Sequence, residues 1–110
     1  MYQDKIVLCG ANSYEEKYYL NPDFENLPQH IKDELKIMCV LYVQDVGGIL
    51  TLEFDEEGNL NLHTEAEEND FSYDEIGSVL KIREIQRTKR ELLESLELFY
   101  RVFFLQEKTE

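Results

Sequence analysis

Two cysteines, Cys9 and Cys39, two histidines, His30 and His63, and a crowd of acids around Gly58 are the side chains in this sequence with chemistry to offer. Cys9 sits ahead of Gly10, at the end of a short apolar run. A reactive thiolate there needs a base, a cation or a helix N-terminus to lower its pKa, and no histidine is near it in sequence. Cysteine is otherwise among the most buried residue types. Burial is the expectation for Cys9, and more firmly for Cys39, which falls in an apolar stretch. The two stand thirty residues apart with no CxxC spacing, so they imply free thiols and neither a disulfide framework nor a zinc site. His63 is expected among carboxylates on the wet face of a strand. A lone surface histidine is a simpler reading of it than a metal ligand. With Gly58 at the glycine position of a calcium loop, Glu53, Asp55 and Glu57 take ligand positions. Thr64 then stands where the bidentate glutamate belongs, and the loop fails as a cation site. GxxxxGK[ST], GxGxxG and HExxH are absent. Twenty-four acidic residues leave no way to rank a pair for acid–base work. The sequence therefore nominates no catalytic residue, cofactor or metal site, and leans away from an enzyme.

A second group with binding chemistry is Arg83, Arg87, Arg90 and Arg101, aligned on one face of a C-terminal helix. They suit either an anion contact or an ordinary helix surface served by Arg87–Glu91, Arg90–Glu94 and Glu97–Arg101 pairs, each worth a few tenths of a kcal/mol. A net charge of -13 and the lack of aromatics interleaved with the basic residues argue against nucleic acid. That charge is unevenly placed. From Ile37 to Leu80 there are eleven acids and no Lys or Arg, whereas five basic residues fall between Lys81 and Arg90. Both runs read as solvated faces, or else the acidic middle lies against the basic turn, in the same chain or in a second copy.

The elements that must position these groups follow from periodicity. One hundred and ten residues make a single domain, residues 1–110, able to bury a core without disulfides or metal. The longest unbroken apolar run, Ile37 to Val43, has seven residues, against about 20 for a membrane span. No signal-peptide pattern opens the chain, so a cytoplasmic protein without membrane contact is expected. Lys5 to Cys9 reads as a strand. Ser13 to Glu16 has a capping-box pattern, and the stretch from Tyr14 to Leu20 fits a short helix or an extended segment equally. From Pro28, Ile31, Leu35, Met38, Tyr42 and Val46 mark a buried helix ended by Gly47-Gly48. Ile49 to Asp55 and Leu60 to Glu65 alternate apolar and polar residues about a turn at Gly58, an antiparallel hairpin over 49–65. Ser72-Tyr73-Asp74-Glu75 then reads as a capping box opening an amphipathic helix of about 73–105. Its stripe of Ile85, Leu92, Leu96, Phe99 and Phe103 is a candidate core or interface. Ile76, Val79 and Leu80 point away from that stripe. A straight rod of this length would measure about 50 Å, so the helix breaks near 77–81, bends around Arg87–Arg90, or packs its free end on a second copy. Ten of the fourteen residues from Leu92 to Leu105 are apolar, which calls for partners on more than one side. The expected fold is α+β: a buried helix, the hairpin with a third strand from the N-terminus or from a partner, and the long C-terminal helix.

The segments VLCGAN, KYYLNPDF, LPQHIKDELKI, VGGILTLEFDEEGNL, YDEIGSVLKI and ELFYRVFFL, spread over almost the whole chain, resemble an uncharacterised family of small acidic proteins from clostridial Firmicutes, a domain of unknown function. The resemblance implies a bacterial cytoplasmic protein and supplies no activity. Apolar faces and segregated charge favour a non-enzymatic interaction module, homodimeric in the simplest case. A small acidic chaperone or inhibitor of a basic protein client is the alternative, and an enzyme with a scattered site the weaker one.

Overall fold

A computed structural model describes residues 5–105. Its elements are β1 (Ile6–Asn12), β2 (Lys17–Leu20), a 3-10 turn (Pro22–Phe24), α1 (Gln29–Val46), β3 (Ile49–Phe54), β4 (Leu60–Glu65), α2 (Glu75–Thr88) and α3 (Arg90–Phe103). The fold is α+β. Four strands form one antiparallel sheet in the order β2-β1-β3-β4, with the N-terminal strand beside the hairpin and a fourth strand outside it. Leu50, Leu52 and Phe54 are fully buried while Thr51 and Glu53 between them are only half-buried, so one face of the sheet carries the core.

Between Val7 and Cys9 the register of β1 against β3 slips by one residue. Such a bulge breaks the alternation of faces, and consecutive Leu8 and Cys9 are both fully buried. Asn21 braces the irregularity: its amide N–H donates to Leu8 O at 2.9 Å and its side-chain Nδ2 to Val7 O at 2.7 Å. The stretch from Tyr14 to Leu20 resolves as extended. Asn12 Oδ1 accepts from the amides of Tyr14 and Glu15, closing a turn, and β2 follows in place of a helix.

α1 buries Leu35, Met38, Cys39, Tyr42, Val43 and Val46. It ends at Gly47 and Gly48, whose φ angles of 88° and 74° lie in the left-handed region where glycine meets no Cβ penalty. At Gly48 a side chain would also meet Glu65 O at 2.6 Å and the Tyr73 ring at 2.6 Å. The chain therefore turns into β3 tightly against the end of β4.

The C-terminal helix differs from its expected form at both its start and its middle. Ser72 does not cap it; its Oγ donates to Asp70 Oδ1 at 2.8 Å. Asp74 is the cap, accepting from the Gly77 amide at 2.8 Å while its own amide donates to Val46 O. The break expected near 77–81 is not there, because α2 runs unbroken through that stretch. The interruption falls at Lys89, the bend position among the three alternatives. Lys89 Nζ meets Glu34 on α1 at 3.1 Å, and Ile85 on one side and Leu92 on the other reach the same core. The bend wraps one amphipathic stripe around a compact body where a rod would have run past it. Phe54 and Tyr100 stack at 4.1 Å, and Phe24 stacks on Phe104 at 4.8 Å, joining sheet, 3-10 turn and α3. No helix among the described residues is long and apolar enough to cross a membrane.

Candidate functional site

The thiols, thirty residues apart in sequence, meet in space. Cys9 on β1 and Cys39 on α1 lie Sγ to Sγ at 3.9 Å, and both are fully buried. Contact with Cys9, then burial, pushes the Cys39 thiol far above its ordinary range. The Tyr18 hydroxyl is buried beside them without a hydrogen bond of good geometry, and desolvation raises it too. A nucleophilic thiol needs the opposite, a nearby base or positive charge. Cys39 and Tyr18 are thus held in their neutral forms, and both thiols are shielded from solvent.

A second buried polar group joins α1, α2 and the segment before it. Tyr42 and Ser78 hydroxyls lie 2.7 Å apart, and Tyr73 donates to Ser78 Oγ at 2.9 Å. Burial drives the Tyr42 phenol up to about 12, so it stays protonated. No histidine or carboxylate takes part in these hydrogen bonds, so Ser78 has no base there to activate it. The network satisfies polar groups that would otherwise be costly to bury.

The remaining candidates lie at the surface. His63 pairs with Glu65 at 3.3 Å on the open face of β4, and among the described residues no group of three or more His, Cys, Asp or Glu converges on a metal position. The acidic turn is closed by its own chain. Asp55 is desolvated, but amide donors from Asn59 and Glu57 hold its carboxyl below the usual range. Arg101 covers Gly58, donating to Glu57 O at 3.2 Å and Asn59 Oδ1 at 2.9 Å, and Glu97 accepts from Leu60 N at 2.8 Å. The expected Glu97–Arg101 pair is thus replaced by three hydrogen bonds between α3 and the hairpin, and neither Arg87–Glu91 nor Arg90–Glu94 forms within salt-bridge distance. An open hollow of about 660 Å³ lies where α1 begins beside the α2–α3 bend, lined by His30, Glu34, Arg87 and Arg90 and bridged by the Lys89–Glu34 pair.

Of the candidate stripe, Ile85, Leu92 and Leu96 are in the core, Phe99 is half-buried against Phe24 and Phe103, and Phe103 is 67% exposed. Apolar side chains are also exposed away from the stripe, Ile37 and Leu41 on α1 among them, and they gather most closely in sequence around the start of α2. Phe71 is 93% exposed, Ile76 75%, Leu80 60% and Val79 52%. All four sit on the first turns of α2 or just before it. Ser78 and Ile85 of the same helix are buried, so Ile76, Val79 and Leu80 occupy its outward face. Arg83 and Arg87 continue that face by helical spacing. This was legible in part: the phase fault at Ile76, Val79 and Leu80 shows in the sequence, but only the packing of Ser78 and Ile85 shows which face the core takes.

Fold and surface together define a small α+β protein whose buried polar groups are closed off and which presents on α2 an exposed helix face, apolar at its start and basic at its end. The chain belongs to a family of unknown function, DUF6145, which matches residues 5–108. No curated protein and no solved structure matches it.

Proposed function

We propose that the protein is a non-enzymatic interaction module that binds a second copy of itself. The observation carrying this reading is the outward face of α2, where Ile76, Val79 and Leu80 stand half to three-quarters exposed, with Phe71, almost fully exposed, in the segment that leads into the helix. Scattered apolar residues on a surface need no explanation; a contiguous patch of this kind marks a contact site. A bacterial, cytoplasmic setting, as the sequence resemblance implies, belongs to the same reading. The second reading, an acidic chaperone or inhibitor of a basic client, draws on the net charge of -13 and the acid-only stretch from Ile37 to Leu80.

Sedimentation equilibrium separates the two. Apolar association survives high salt, whereas a charge-held complex is screened apart. A dimer present at both 0.1 M and 1 M NaCl is the expected result. A monomer at every salt, up to protein concentrations of several hundred micromolar, overturns self-association. Binding of basic test proteins such as histones, lost on adding salt, would then favour the charge-mimic reading.

A further inference from the structure

The outward face of α2 has a polarity that constrains how two copies meet. The segment leading into it, from Glu65 to Glu75, contains Glu65, Glu67, Glu68, Asp70, Asp74 and Glu75 and no Lys or Arg. Its far end carries Arg83 and Arg87, with Arg90 just past the bend. Between acid and base lie Ile76, Val79 and Leu80. The two lysines of this region are engaged within the chain, Lys81 with Asp45 at 3.1 Å and Lys89 with Glu34 at 3.1 Å. Arg83, Arg87 and Arg90 are exposed and make no hydrogen bond or ion pair to any described residue. The acidic segment is also held in place. Tyr14 from the β1–β2 turn donates to Asp70 Oδ2 and accepts from the Glu67 amide at 3.0 Å.

We infer that two copies dock α2 against α2, antiparallel about a two-fold axis crossing the helix at Val79 and Leu80, so that each copy's Arg87 and Arg90 lie toward the other's 65–75 segment and its Arg83 at the edge of that segment. This rests on the self-association reading and adds its surface and register. A parallel arrangement stacks acid on acid and arginine on arginine, in a chain that already carries a charge of -13. The antiparallel arrangement matches opposite charge at both ends, and a two-fold interface makes every such contact twice. The spacing fits. At 1.5 Å per residue, Arg83 lies about 5 Å from the axis and Arg87 about 11 Å, level with the partner's Ile76 and with the residues just before its helix. Arg90 reaches further, over the acidic loop. The apolar residues then form a dry centre and the charges a rim, the usual anatomy of an interface. The arginine stems add apolar cover at its edge.

A charge-swap experiment tests the register. One variant carries R83E, R87E and R90E, and the other E67K and E68K; all five side chains are exposed, and circular dichroism of each verifies an intact fold. Each variant alone places like charges together and is expected to dimerise at least about tenfold more weakly than the native chain at 0.1 M NaCl. Mixed one to one, both ends again match, and a heterodimer of near-native affinity is expected by sedimentation velocity. If the native chain dimerises, but both variants do so equally well and the mixture shows no preference, the α2 register is wrong and self-association stands on another surface. If the native chain is monomeric, the self-association reading itself fails.

Discussion

At the scale of single residues the tightest joint between distant parts of the chain is Tyr14 with Asp70, fifty-six positions apart. The Tyr14 hydrogen bond, and then that of Ser72, hold the Asp70 carboxyl below its ordinary range, and the same contact raises the Tyr14 phenol. The signs set a window. A lowered carboxyl contributes fully above about pH 4 and loses its contribution as pH falls through the lowered folded value; a raised phenol contributes below about pH 10 and loses it as pH rises through the raised folded value. The joint is thus intact across neutral pH and weakens at both extremes. In Tyr14→Phe the carboxyl loses its donor, and its NMR titration midpoint is expected to move up toward that of an ordinary aspartate. A midpoint left where it was would mean that Ser72 alone sets it. None of this was legible in sequence, nor was the meeting of Cys9 with Cys39. Both depend on how α1 packs on the sheet and how distant loops meet, long-range properties that local spacing does not encode. The character of the thiols was legible. Cysteine in apolar runs reads as buried, and both are.

At the scale of elements, the hairpin is the most legible part of the chain. Alternation and a glycine at the turn specify strands, and Gly58 takes the left-handed φ of 88° that such a turn needs. The helices were less so. A run without proline reads as continuous, yet at Lys89 packing decides otherwise, because Ile85 and Leu92 must both reach one core. Ser72 fits a capping pattern, but the chain enters α2 with the Asp74 amide fixed on Val46 O, and that places Asp74 at the cap. The apolar run from Leu92 onward suggested burial on several sides. In fact α3 buries Leu92, Leu93, Leu96 and Tyr100 and leaves Leu98 53% exposed. The two leucines therefore separate the faces. Leu96→Ala is expected to cost about 2–5 kcal/mol in denaturant unfolding, as for a large-to-small change in a core. Leu98→Ala should stay within about 0.5 kcal/mol, as for a surface change. Equal losses would mean that α3 is rotated from the orientation described.

At the scale of the whole molecule, charge is the dominant unbalanced term. The chain carries twenty-four acids against eleven lysines and arginines. The bridges that offset this surplus, such as Lys81–Asp45 and Lys89–Glu34, join side chains about a third to more than half exposed, and pairs of that kind contribute about 0–1 kcal/mol each. Repulsion among the remaining acids acts over longer distances. At 0.01 M salt the screening length is about 30 Å, more than twice the 14.3 Å radius of gyration, so repulsion reaches across much of the molecule. At 0.15 M it is about 8 Å, which removes the long-range repulsion while leaving contacts near 3 Å largely intact. The melting temperature is therefore expected to rise as NaCl increases from 10 to 300 mM at fixed protein concentration. Because association of folded copies also raises it, the scan is repeated at a tenfold lower concentration. A rise of the same size at both concentrations assigns the effect to repulsion within each chain. A rise that shrinks on dilution assigns it to association between copies, and a fall would show that the short bridges outweigh the acidic surplus.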